Sequence, residues 1–248
     1  MKIVVQIYEV QNPSEAETLI ALGVDHIGSV VVSQEKRYVP SIRETVRLTD
    51  RLGARSSIIP LFSDADAISS LLDYYSPHIL HFCEAIDVRQ NLHGCRRLVH
   101  LQETIRNRFP GIKLIRSIPI RSFGAFDAVP SLEIAEIFEP VSDLFLTDTL
   151  LGGQIDQPVS GFVGITGKQC EWDIAEALVK KSRIPVILGG GLSPENVREG
   201  ILKVRPAGVD SCTLTNALDD EGQPIRFRKD VGLVKRFVRE VRNAENEL

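Results

Sequence analysis

Apolar stretches of strand character alternate with helical stretches along the whole chain, and that alternation constrains the fold more than any other feature. Ile3–Tyr8 precedes a helix near Ser14–Leu22 that stops at Gly23, and His26–Val32 precedes one near Ile42–Leu52 that stops at Gly53. Ser57–Phe62 leads to Asp64–Tyr75, with Ile68, Leu71, Leu72 and Tyr75 on one face, and Ile79–Cys83 leads through a polar loop to Arg96–Arg108. Lys113–Ile118 is followed by Leu132–Phe138, Leu144–Asp148 by a long loop and Glu171–Lys181, and Val186–Leu188 by Glu195–Val204. Val209–Thr213 comes last, before a closing helix with Val234, Phe237, Val238 and Val241 on one face.

Strands that are apolar throughout are what a parallel sheet covered on both sides requires, and parallel neighbours need crossover helices. Eight such units in 248 residues, 43% of them hydrophobic, predict an α/β protein built as one closed (β/α)8 barrel, a single domain over 1–248. The rival is a doubly wound open sheet. Its glycine fingerprint is missing after the first strand, where Tyr8-Glu9-Val10-Gln11-Asn12-Pro13 stands instead.

The net charge of −4 gives no basic field for a polyanion, so nucleic acid is excluded as a partner. No apolar run approaches the roughly 20 residues of a membrane span, and Met1-Lys2-Ile3-Val4-Val5 leads straight into a strand, so a cytoplasmic protein is expected. Cys83, Cys95, Cys170 and Cys212 are scattered, without metal-ligand spacing, and are expected to be reduced. Neither a metal nor a cofactor is expected, and the barrel is expected to be a monomer or a homodimer.

Chemistry in such barrels gathers where strands end and loops begin. Val186-Ile187-Leu188-Gly189-Gly190-Gly191-Leu192-Ser193-Pro194 has the form of an anion cradle: glycines allow close backbone approach, and the following helix start offers free N–H groups. Ser193 suits the cap of that helix and Pro194 its first position. A ligand-free tight turn is the alternative reading. Other polar residues at predicted strand ends are Tyr8, Glu9, Lys36, Arg37, His81, Glu84, Arg116, Arg121, Asp148, Thr213, Thr215 and Asn216. Asp148 emerges from Leu144-Phe145-Leu146-Thr147, where lost hydration raises a carboxyl toward the range of proton transfer; a loop cap is its plainer role.

These residues resemble the phosphoribosylanthranilate isomerases of tryptophan biosynthesis. Gly190-Gly191-Leu192-Ser193-Pro194-Glu195-Asn196-Val197 is similar to that family's G-G-L-x-P-E-N-V, and Gly164, Gly167 and Trp172 to its G-G-x-G-x-x-F-D-W. Leu146-Thr147-Asp148-Thr149 resembles L-L-D-T, Lys36-Arg37-Tyr38-Val39 resembles S-x-R-x-V/I, Gly208-Val209-Asp210 matches G-V-D, and Lys229-Asp230 its K-D. The resemblance implies an Amadori rearrangement of a small phosphorylated sugar amine. In it Asp148 serves as general acid, Arg37 pairs with the anthranilate carboxylate, and Gly190 and Gly191 hold the phosphate; Thr213, after the eighth strand, is a further candidate for binding it.

Three positions depart from the pattern. Tyr8 stands where the family has its basic cysteine, and a tyrosine with an ordinary pKa near 10 is a poor base at neutral pH. Glu9 needs a turn to point inward, because neighbours on a strand face opposite ways. Glu84 and Leu214 replace glycines of the fourth and eighth loops. Three functions follow: an isomerase with Asp148 as acid and Glu9 or Tyr8 as base; another chemistry on a carboxylate cluster of Glu9, Glu84 and Asp148, with a metal held partly by His81; or a non-catalytic binder. The loop Thr149–Gly164 is long enough to serve as a lid.

Overall fold

The computed structural model describes residues 2–86, 93–126, 128–152 and 157–248. Eight parallel strands close into a barrel in sequence order: β1 (Val4–Ile7), β2 (His26–Val31), β3 (Arg55–Pro60), β4 (Ile79–Phe82), β5 (Lys113–Arg121), β6 (Leu144–Leu150), β7 (Val186–Leu188) and β8 (Gly208–Ser211). Between them run α1 (Pro13–Ala21), α2 (Pro40–Arg51), α3 (Ala65–Tyr75), α4 (His93–Arg108), α5 (Ser131–Phe138), α6 (Trp172–Lys181) and α7 (Val197–Val204), and α8 (Val231–Glu245) closes the chain. The ring is sealed where β1 pairs with β8, Val4 opposite Gly208 and Ser211 opposite Ile7.

Alternation of side chains divides each strand between two cores. Val5, Ile7 and Val209 face outward into a layer shared with Phe237, Val241 and Ile201 of the helices. Tyr8, Val30, Ile79, Ile115, Leu146 and Ile187 face inward and fill the barrel. Helix starts follow local chemistry: Asn12, Asp64 and Asp230 each accept the N–H of the residue three positions on, and Pro13 and Pro40 occupy first turns.

The eight predicted units are present, with ends shifted by up to three residues, and three differences bear on the site. Helix α7 starts at Val197 rather than Glu195, because the Ser193–Asn196 stretch hydrogen-bonds to itself. Ser193 Oγ accepts Glu195 N at 3.1 Å, and Asn196 Oδ1 accepts Ser193 N at 2.8 Å, which fixes a turn in place of a first helical coil. The last barrel strand stops at Ser211, since Cys212 O gathers the Lys229 ammonium and Thr215 into a 3₁₀ turn over Thr213–Thr215. Beyond it an antiparallel hairpin, β9 (Asn216–Leu218) and β10 (Pro224–Lys229), occupies a stretch to which the sequence pattern assigned no element. Among the described residues no helix is long and apolar enough to cross a membrane.

Candidate active site

One pocket opens at the C-terminal end of the strands and is lined by Tyr8, Glu9, His81, Asp148, Gly190, Gly191, Asp210 and Thr213, among others. Asp148 follows Leu146 in β6 by two residues and therefore points into the barrel. Its Oδ1 accepts Thr149 N at 2.9 Å, yet removal from water dominates and pushes the carboxyl up to about 7. Gly164 lies against it so closely that a Cβ there would stand 2.1 Å from Asp148 Oδ2.

The glycine-rich half of the pocket comes from three loops. Gly190 (φ +87°) and Gly191 (φ +69°) adopt the left-handed conformation, and a Cβ on Gly191 would fall 2.4 Å from the backbone N of Gln169. Thr213 packs across from Gly167, and Leu214 lines the same wall. Of the expected lid 149–164, residues 149–152 and 157–164 are described, and a strap over 157–170 that takes in its second half lies across the mouth. At one edge Val163 N donates to Cys83 O at 2.8 Å and Ala85 N to Gly161 O at 2.8 Å; at the other Thr149 Oγ1 donates to Lys168 O at 2.7 Å. Residues 153–156 of the expected lid lie outside the described residues. Ile165, β-branched and with φ +61°, sits in this strap in a sparsely populated conformation costing about 1–3 kcal/mol.

Tyr8 and Glu9 point to different surroundings. The Tyr8 ring lies over Gly28, where a Cβ would approach within 2.1 Å, and its hydroxyl joins Ser57 Oγ (2.6 Å) and His81 Nδ1 (2.8 Å). His81 Nε2 in turn meets Ser117 Oγ at 2.8 Å. Burial raises the Tyr8 hydroxyl well above its ordinary value and lowers His81 to about 3, so both are neutral in this network. Glu9 has φ +64°, which supplies the turn it needed, and its carboxylate is fully buried against Arg226 Nε (2.6 Å) and Asn216 Nδ2 (3.2 Å) of the hairpin.

Other candidates are held elsewhere. Arg37 donates to Gln34 O of its own loop at 2.9 Å and stacks 4.7 Å from the Tyr38 ring, outside the pocket lining. Glu84 turns to Arg116, whose Nη1 lies 2.7 Å from Glu84 Oε2 and whose plane sits 4.5 Å from the Phe138 ring. The expected cluster of Glu9, Glu84 and Asp148 is thus not assembled, because two of the three carboxylates are committed to arginines. Among the described residues no three His, Cys, Asp or Glu side chains stand together as metal ligands.

The sequence comparison decides the ancestry. A family model described as N-(5'-phosphoribosyl)anthranilate (PRA) isomerase matches residues 86–238, more than half of the chain. The N-(5'-phosphoribosyl)anthranilate isomerase of Desulforamulus reducens is 31% identical over 239 residues, 96% of this chain and 94% of that one. The chain belongs to the phosphoribosylanthranilate isomerase family. The family's protein from Methanocella arvoryzae is 34% identical, over a shorter stretch covering 61% of this chain and 60% of its own. In fold, the phosphoribosyl anthranilate isomerase of Thermus thermophilus superposes with a TM-score of 0.67 over 97% of this chain and 99% of that one, at 17% identity. A phosphoribosyl anthranilate isomerase in complex with reduced 1-(o-carboxyphenylamino)-1-deoxyribulose 5-phosphate gives 0.65 over the same shares, at 20% identity.

Against this family background, sequence reasoning passed over Asp210 as a site residue. Its carboxyl lines the pocket, accepts Gln6 Nε2 at 3.1 Å and is pushed up to about 7, first by burial. The signal was present: like Asp148, it is a lone carboxylate at an inward position near the end of an apolar strand.

Proposed function

We propose that this chain is an aldose–ketose isomerase acting on N-(5'-phosphoribosyl)anthranilate or a close phosphosugar amine in the cytoplasm. The observation that carries the reading is a single mouth joining a carboxyl held near neutrality, Asp148, to the Gly190–Gly191 turn and Thr213. The phosphate binds where the loops after β7 and β8 meet, a placement common to phosphate sites of such barrels. Asp148 in its acid form gives its proton to the ring oxygen while the nitrogen lone pair opens the ring, leaving an iminium at C1. Loss of the C2 proton then yields the enolamine, which becomes the ketose.

Tyr8 and Glu9 are poor candidates for taking the C2 proton. The Tyr8 hydroxyl is engaged with Ser57 and His81, and the Glu9 carboxylate with Arg226 and Asn216. Adding N-(5'-phosphoribosyl)anthranilate to pure protein and following its fluorescence tests the activity, and a signal that decays no faster than in buffer overturns it. Asp148→Asn is expected to lower kcat by about 10²–10⁴, the range for removing a general acid. Unchanged turnover in that variant removes Asp148 from the role.

A further inference from the structure

The reaction proposed above needs a base, and the register of the barrel places one opposite the acid. In β6 and β7 Leu146 pairs with Ile187, and in β7 and β8 Ile187 pairs with Gly208. Two residues further along each chain, Asp148, Gly189 and Asp210 fall in one row across the mouth. Adjacent strands are spaced about 4.8 Å, so the two aspartates stand roughly 10 Å apart at their α-carbons. Both side chains point inward from that row.

The residue between them carries no side chain. A Cβ on Gly189 would stand 3.6 Å from Asp210 Cβ and 2.6 Å from Thr147 O. Leu146 Cδ2 would lie 3.1 Å from the same Cβ, so this position admits no side chain, and both carboxyls line one pocket with Asp148 acting electrostatically on Asp210. Asp210 Oδ1 is fixed by Gln6 Nε2, and the other Gln6 atom, Oε1, meets His26 Nδ1 at 3.2 Å. That leaves Oδ2 of Asp210, and likewise Oδ2 of Asp148, without a hydrogen-bond partner among the described residues.

We infer that Asp210 is the catalytic base that takes the C2 proton, so that Asp148 and Asp210 divide the acid and base work across the pocket that both line. The inference rests on the isomerase reading. In the step itself the C2–H bond breaks, the proton passes to Asp210 Oδ2, and the freed pair forms C1=C2 as the C1=N pair returns to nitrogen. Both carboxyls lie up at about 7 and interact, so near neutrality the pair holds one proton between them, and the productive form has it on Asp148. Besides Asp148, the groups facing Asp210 are Gln6 of β1, the Tyr8 hydroxyl, Lys229 of β10 and the thiol of Cys212; Lys229 Nζ is itself engaged by Cys212 O and Asn216 Oδ1. The same requirement predicts a bell-shaped pH profile for kcat/KM that falls on both sides of about 7.

The test compares wild type, Asp210→Asn and Asp210→Glu on N-(5'-phosphoribosyl)anthranilate, with and without deuterium at C2, after melting curves confirm folding. Asp210→Asn is expected to lose at least 100-fold in kcat and the acid limb of the profile. Asp210→Glu, with its carboxyl displaced, is expected to keep a few per cent of kcat and to show a larger deuterium effect than wild type. Retention of more than a tenth of kcat in Asp210→Asn overturns the inference alone, and if that variant does not fold, an unchanged deuterium effect in Asp210→Glu does so. Absence of turnover in wild type overturns the isomerase reading and this inference with it.

Discussion

Asp148 is set by a neighbour that has no side chain. Gly164 (φ +103°) leaves room for its carboxyl, and alanine there would meet Oδ2 at 2.1 Å. Gly161, also left-handed at φ +82°, has nothing within 4 Å of an added Cβ. Gly164→Ala is therefore expected to lower kcat by at least 10-fold, while Gly161→Ala, with similar backbone strain, keeps most of it. Steady-state kinetics on the pair checks this, and equal losses would show that the contact with Asp148 does not matter. At this scale the sequence was informative where residue type is restrictive. Gly190, Gly191 and Asp148 were legible because few residues tolerate a left-handed turn or emerge charged from an apolar strand. Arg37 was not, because its partner is the carbonyl of Gln34 in a loop whose path no periodicity encodes. Asp210 was overlooked although the desolvation argument made for Asp148 applies to it equally.

Between elements, β5 and the segment just after β4 share one buried ion pair. Arg116 is wholly inaccessible and donates both to the Glu84 carboxylate and to its backbone oxygen, at 2.7 Å each. Glu84 also bridges Phe162 of the strap, so the pair fixes the strap to the strand end. Removing one charge leaves the other buried and uncompensated, which costs about 3–5 kcal/mol. Glu84→Gln is expected to lose stability of that order in chemical denaturation, with faster proteolysis in 157–170; a loss under 1 kcal/mol would overturn this account. The barrel units were readable because crossover helices and continuously apolar strands repeat with clear stop signals. The hairpin of β9 and β10 was missed even though Ile225-Arg226-Phe227-Arg228 alternates and Gly222 marks its turn. Its faces are half-exposed, so the pattern stands out less than that of a core strand, and it matters because it carries Arg226 and Lys229 to the mouth.

For the molecule as a whole, the buried ionisable groups give stability a defined pH dependence. Asp148 and Asp210 titrate higher in the fold, at about 7, than their ordinary 3.8. Their protonated forms are favoured by folding, so the stability they contribute is complete below about pH 4 and is lost as pH rises through 7. His26, lowered to about 4, and His81, lowered to about 3, act the opposite way, and their contribution is lost as pH falls from about 6.5 toward those values. The unfolding free energy of Asp210→Asn relative to wild type is therefore expected to rise between pH 5 and about pH 7 and then level off, with a total gain of about 1–3 kcal/mol. A difference that stays flat with pH would contradict the raised carboxyl. The close seating of the Tyr8 ring on bare Gly28 ties position 8 to its neighbours. A cysteine there would leave a hollow above Gly28 and strand the polar atoms of Ser57 and His81, so exchanging the ring for a thiol calls for matching changes at all three places.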